Sequence, residues 1–218
     1  MGVFIKPLGD EFGWGRGEIG LALTILSFAM AGALPLAGRM IDLTGGRGVL
    51  AASSLVFAVG LALLGAADSV ALVFAAWLVI GAGMAMGLYE AAFSTLAAHL
   101  GANARSSITG ITLIAGFAST LCWPLTALLE AELGWRGACF AWAAIHLLIG
   151  WPLNRVFIPA RPAAPRTRAD DAPPPGRGFD PRMILLAFVF AAAWFISTSL
   201  AAHLPRLLQM AGLSVVAA

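Results

Sequence analysis

The sequence predicts an all-α fold, a polytopic bundle of transmembrane helices, and three observations carry that prediction. Of the 218 residues, 60% are hydrophobic and 11% charged, at a mean hydropathy of +0.90, whereas a soluble domain carries roughly 25% charged residues. Uncharged runs recur over 19–38, 48–67, 69–89 (continuing past Glu90 to Leu100), 106–129, 137–154 and 183–205. A helix rises about 1.5 Å per residue, so about 20 residues cover the hydrocarbon core of a bilayer. Between the runs the charges gather in short segments, as they must if the runs lie in lipid.

Met1 to Leu8 is apolar but too short to cross a bilayer, and reads as the tail of a helix. It lacks the basic region and small-residue cleavage site of a signal peptide. Asp10 to Glu18 reads as a polar turn, with Trp14 at the membrane interface and Glu18 favourable at a helix start. Gly15 to Gly20 spells GxGxxG, but no strand precedes it, so the dinucleotide reading lacks its context. Gly38 to Arg47 is a polar hinge between the first two spans, with glycines for turning and Arg39, Asp42 and Arg47 for the headgroups.

Six spans are therefore expected, and the excess of Lys and Arg in cytoplasmic loops orients them. With the 38–47 hinge inside, Arg39, Arg47, Arg105, Arg155, Arg161, Arg166, Arg168, Arg177 and Arg182 are also inside. Lys6, Arg16, Arg136 and Arg206 then lie outside. From Arg161 to Pro181 six prolines stand among Arg and Asp, the composition of an extended, solvated linker. The abundance of Arg and Ala points to a GC-rich bacterial genome. Nothing indicates nucleic-acid binding, since no basic run with interleaved aromatics lies outside the spans.

The hinge Gly38-Arg-Met-Ile-Asp42-Leu-Thr-Gly45-Gly-Arg47 resembles the loop signature of the major facilitator superfamily, G-x-x-x-D-R-x-G-R-R/K, between its second and third helices. Gly38, Asp42, Gly45 and Arg47 fit. Leu43 stands where the signature has Arg, and Gly46 where a second basic residue is common. The resemblance implies that these residues form a cytoplasmic gate motif locking two helical lobes. It also implies a division into 1–18, the end of a truncated first helix and an external loop; 19–158, family helices two to six; 159–182, a cytoplasmic central linker; and 183–218, the first helix of the second lobe and the following loop, cut short. The chain thus looks like a fragment, and one that would not transport alone. Gly2 to Leu8, Glu11-Phe-Gly-Trp14 and Gly134-Trp-Arg-Gly137 resemble the bacterial monocarboxylate-porter-like branch. That implies a secondary transporter of a small organic anion in the inner membrane, working by alternating access, coupled to H+, without cofactor or metal.

Glu90 is the one acid deep inside a span. On a continuous helix Gly83, Gly87, Glu90, Ser94 and Ala97 would form one small, polar stripe, so Glu90 should face protein or a water-filled cavity. It is the first candidate for coupling or substrate sensing, against the plainer reading of a hydrogen-bonded structural acid. Tyr89 and Ser94 accompany it. In the fourth span Thr109, Thr112, Gly116 and Trp123 form a second stripe with Pro124 as a kink; Thr112 and Gly116 are candidates for a substrate wall, although close helix packing explains such stripes as readily. The antiporter signature of that helix, G-P followed by paired glycines, is absent. His146 is deep enough to line a cavity, although Trp142 and Trp151 nearby make packing an equal reading, while His99 and His203 lie near span ends and read as interface residues. Cys122 and Cys139 read as packing residues. The rival class, a polytopic membrane enzyme, would need a nucleophile and base at membrane depth, and neither a complete G-x-S-x-G pattern nor a His pair is present.

Overall fold

A computed structural model describes residues 4–160, 181–182, 184–186, 188–193 and 195–196. Among them no strand occurs, and the helices are α1 (Ile5–Phe12), α2 (Arg16–Thr44), α3 (Gly46–Gly65), α4 (Val70–Gly87), α5 (Tyr89–Leu100), α6 (Ala104–Gly116), α7 (Ala118–Ile145) and α8 (Trp151–Phe157). A short 3-10 turn precedes α6 and a π turn, His146–Gly150, joins α7 to α8. Four stretches are long and apolar enough to cross a membrane: Gly20–Thr44, Gly46–Gly65, Val70–Leu100 and Ala104–Phe157. The last holds two expected spans, because Gly134 at φ 70°, ψ 169° turns the chain back. The indole of Trp142 then reaches Thr126 Oγ1 at 3.2 Å, across the resulting hairpin. Met1–Ala164 forms one compact unit. In the second, Pro165–Ala218, the described part contains a shorter apolar helix, Ile184–Ala193; the rest of the expected 183–205 span and His203 lie outside the described residues.

The boundaries differ from expectation at several points, each with a local cause. Gly38 to Arg47 is not a loop: α2 runs on to Thr44, and Gly45, at φ 84°, is the whole of the break before α3. Ile41, only 1% exposed, packs with Val49, Leu50 and Ala91, and this anchor holds the last turns of α2 helical. Asp10 and Glu11 belong to α1, which ends on left-handed Gly13; the N–H groups of Gly13 and Trp14 both return to the Gly9 carbonyl. Trp14 stacks on Phe74 of α4, with ring centroids 5.5 Å apart, instead of standing free at an interface.

The third span is broken at Leu88, whose φ −89°, ψ −166° is extended. The fourth breaks at Phe117, between α6 and α7, while Pro124 stays inside α7. The π turn has a covalent cause in the sequence. Pro152 has no N–H to give the Leu148 carbonyl, and its ring would press on that carbonyl in a regular helix. Widening the preceding turn, with Trp151 N–H returning to His146 O, relieves the conflict.

Helices in lipid gain little from the hydrophobic effect on meeting one another, so close approach has to come from small residues. A Cβ on Gly81 of α4 would stand 2.6 Å from the Leu26 carbonyl of α2, and one on Gly60 of α3 would stand 2.7 Å from Ile80 Cγ1. α4 is therefore seated between α2 and α3. The 135–157 arm runs antiparallel to α3: Arg136 meets Gly65 at one end, and Asn154 Nδ2 donates to Leu50 O and Ser54 Oγ, each at 3.1 Å, at the other. α6 and the first turns of α7 touch the rest along little of their length and expose Leu113, Ile114, Phe117 and Leu121.

Candidate functional site

A cavity of about 360 Å³ lies between α3, α4 and the two arms of the α7 hairpin. Phe57, Met84, Trp123, Thr126, Trp142 and His146 carry its chemistry, and Cys122 adds a thiol to the wall. The hairpin turn at Gly134 sets Trp142 beside Thr126, and Thr126 passes its own hydroxyl proton to Cys122 O at 2.6 Å. The π turn begins at His146, so that ring leaves the regular helical register; it stacks on Phe57 with centroids 4.9 Å apart. Both ring nitrogens lack a hydrogen-bond partner among the described residues. The wall is aromatic and aliphatic with hydroxyl, imidazole and thiol groups and no lysine, arginine or carboxylate. Such a space can enclose a small solute with an apolar body and offer it a few polar partners.

Of the sequence candidates, His146 alone lines this cavity. The polar stripe through Glu90 is interrupted, because the Leu88 break shifts α5 out of register with α4. Gly83 and Gly87 face Phe57 and Ser53 of α3, whereas Glu90 and Tyr89 are exposed. Glu90 stands in the first turn of α5, where a carboxylate complements the free N–H groups of a helix start, and Tyr89 tilts against Phe93 at 5.3 Å. Ser94 is half-buried. Thr112 is exposed and its hydroxyl returns to Ile108 O at 2.8 Å; Gly116 ends α6.

In the gate motif, Gly45 is buried, Gly38 and Arg47 are half-buried and Asp42 is exposed. Arg47 Nε is buried without a partner among the described residues. The close contact of the motif comes from Gly46: a Cβ there would overlap the Thr95 side chain of α5. Cys139 is buried packing as expected, but Cys122 is exposed.

Sequence reasoning missed a polar clasp at the Gly134 end. Arg136 gives Nη2 to Glu11 Oε1 at 2.6 Å and Nη1 to Gly65 O at 3.0 Å, while the Trp135 indole gives its proton to Glu11 Oε2 at 2.7 Å. The guanidinium also lies 4.6 Å from the Trp135 ring centroid. One guanidinium, that of Arg136, thus joins α1, α3 and α7, and the two short motifs noted separately in the sequence, Glu11-Phe-Gly-Trp14 and Gly134-Trp-Arg-Gly137, meet in space. The signal available was an acid and an arginine on the same expected side of the membrane.

The Arg136 hydrogen bond holds the Glu11 carboxyl below its ordinary value of 4.5; burial pushes the other way, and the Trp135 bond and the Arg136 charge add to the lowering. A lowered folded-state value means that the stabilisation is complete above the ordinary value and is lost as pH falls through the folded one. With both partners more than a third exposed, the pair contributes about 0.5–1 kcal/mol. Glu11→Gln is therefore expected to lower the melting temperature at neutral pH. The difference from the parent should shrink as the medium is acidified below 4.5, and a difference independent of pH would refute the assignment.

No curated protein matches the chain. The sequence model of the Major Facilitator Superfamily matches residues 1–218. With its membrane-length helices and that match over its length, the chain is an integral, multi-pass membrane protein belonging to the Major Facilitator Superfamily, a family of solute transporters.

Proposed function

We propose that this chain forms part of a secondary transporter that carries a small organic anion of the monocarboxylate class together with a proton, by alternating access between two lobes. In this reading 19–158 is one lobe, 159–182 a cytoplasmic linker and 183–218 the start of the other, in the inner membrane of a bacterium. The observation that carries the proposal is the aromatic cavity with His146 at the π turn, a distortion that recurs at functional sites. A carboxylate entering a wall without lysine or arginine would be an uncompensated charge. A proton on His146 supplies the missing cation, and anion and proton then move with no net charge.

Glu90 supports the same reading from another direction. It opens a half-helix inside a span, the kind of discontinuity at which transporters place substrates and coupling ions. Exposed on this chain, it is proposed to face the passage between the lobes, with Tyr89 and Ser94 nearby. Asp42 and Arg47 are proposed to close that passage on the cytoplasmic side.

Trp123 and Trp142 provide the test. In nanodiscs, small monocarboxylates such as lactate or benzoate are expected to change the tryptophan fluorescence saturably, and at lower concentration as pH falls. Response to neutral solutes alone would overturn the anion reading. In proteoliposomes, a transporter carrying Glu90→Gln is expected to lose the pH dependence of uptake; full uptake with an unchanged pH profile would remove Glu90 from coupling.

A further inference from the structure

We propose that His99 is a proton-operated latch that ties the end of α5 to the chain leaving α8. His99 stands in the last turn of α5, with Nδ1 2.9 Å from the Thr95 carbonyl oxygen and Nε2 3.1 Å from the Pro159 carbonyl oxygen. Both partners can only accept. A neutral imidazole has a single N–H, so it bonds one of these oxygens and turns a lone pair toward the other; the imidazolium donates to both.

The packing makes this tie consequential. α8 rests on α3, and between α5, α6 and the end of α8 there is a cavity of about 400 Å³ lined by Leu50, Thr95, Asn154 and Phe157 as well as His99. Ile158 already packs against Val49, Leu50 and Ala91, so the His99–Pro159 bond beside this cavity fixes the chain from Pro159 onward, beyond that anchor. His99 is the only titratable group in the lining. On the packed elements, Arg47 of α3, Arg105 of α6 and Arg155 of α8 stand outside the lining. Glu90 lies at the far end of α5, and Arg39 and Asp42 of α2 are exposed. No carboxylate among the described residues pairs with the ring, so on losing a proton it gives up one of its two bonds; the bond given up is the one to Pro159, because the Thr95 carbonyl lies one turn back on the ring's own helix and keeps the Nδ1 proton. Pro159 begins the 159–182 segment, and the device would couple local acidity to the freedom of the linker's root. It is independent of the cavity around His146.

Spin labels at Ala97→Cys and Ala160→Cys, both exposed positions, report on the tie in the full chain in nanodiscs, with Cys122→Ser and Cys139→Ser removing the native thiols. Near pH 5.5 the distance distribution is expected to be single and narrow. Near pH 8, beyond the usual imidazole range of about 5–8, it should broaden and gain a longer component. His99→Ala is expected to give the broad distribution at both. Nitrogen-15 spectra of the His99 ring give a readout that does not depend on a substitution: both ring nitrogens should carry hydrogen-bonded protons in the narrow state. A distribution unchanged while the ring changes charge, or a pH response retained in His99→Ala, would overturn the latch.

Discussion

Replacing His146 by alanine is expected to weaken monocarboxylate binding by tenfold or more. The imidazolium is the one cation the cavity wall can offer, and a hydrogen bond to a charged group contributes about 1.5–3 kcal/mol, where about 1.4 kcal/mol is a factor of ten. Alanine also removes a ring stacked on Phe57, so the result alone would not separate ligand binding from packing. His146→Phe does separate them. It keeps a ring against Phe57 but has no nitrogen, and it should bind as poorly as alanine. The pH dependence of binding should disappear in both variants. If His146→Phe binds as well as the parent by tryptophan fluorescence, His146 is a stacking residue and the proposed site is wrong. Trp142→Phe serves as the comparison that keeps the aromatic wall but loses the bond to Thr126, and should cost roughly two- to tenfold, in line with about 0.5–1.5 kcal/mol for a neutral hydrogen bond.

The same residues show what a sequence of this kind reveals. The spans were legible because lipid penalises charge wherever it falls, so the uncharged runs mark themselves regardless of tertiary detail. The hairpin at Gly134 was legible too, between Glu132 and Arg136. Breaks inside spans were not. Leu88 is an apolar residue between Gly87 and Tyr89, and nothing local requires it to be extended; the break follows from how Gly83 and Gly87 seat against Phe57 and Ser53. The stripe through Glu90 failed for that reason, since helical spacing holds only across an unbroken helix. The Gly38–Arg47 segment failed in the opposite sense. Its charges looked like a loop, but Ile41 had a pocket waiting between Val49 and Ala91, and packing kept the helix going.

The cavity was the least legible feature, because its wall comes from α3, α4 and both arms of α7, and no spacing along one helix brings Phe57 to His146. Its one local signal was Pro152, which fixes a distortion in the turn before it and could have marked His146. The clasp was hidden by distance of the same sort, as Glu11 and Arg136 are neighbours only after the chain has turned back at Gly134. Of the four motif residues only Asp42 is exposed, and it makes no ion pair among the described residues.

Gly81→Val is expected to be strongly destabilising. The added Cβ would stand 2.6 Å from the Leu26 carbonyl oxygen and 2.9 Å from Ala29 Cβ, and the first of these is backbone, which cannot rotate away. Relief requires α2 and α4 to move apart, which undoes the close contact of two helices whose other attractions in lipid are weak. Overpacking of this kind costs about 1–3 kcal/mol, and separation of α2 from α4 would place it at the upper end. Gly32 lies on the same α2 helix with nothing within 4 Å of an added Cβ, so Gly32→Ala should leave stability unchanged and serves to exclude an effect of glycine loss alone. Thermal unfolding in detergent, followed by helical circular dichroism, distinguishes the two. A Gly81→Val protein as stable as Gly32→Ala would mean that α4 is not seated against α2. The Gly83 and Gly87 contacts with Phe57 and Ser53 would then have to hold α4 against α3 without support from α2.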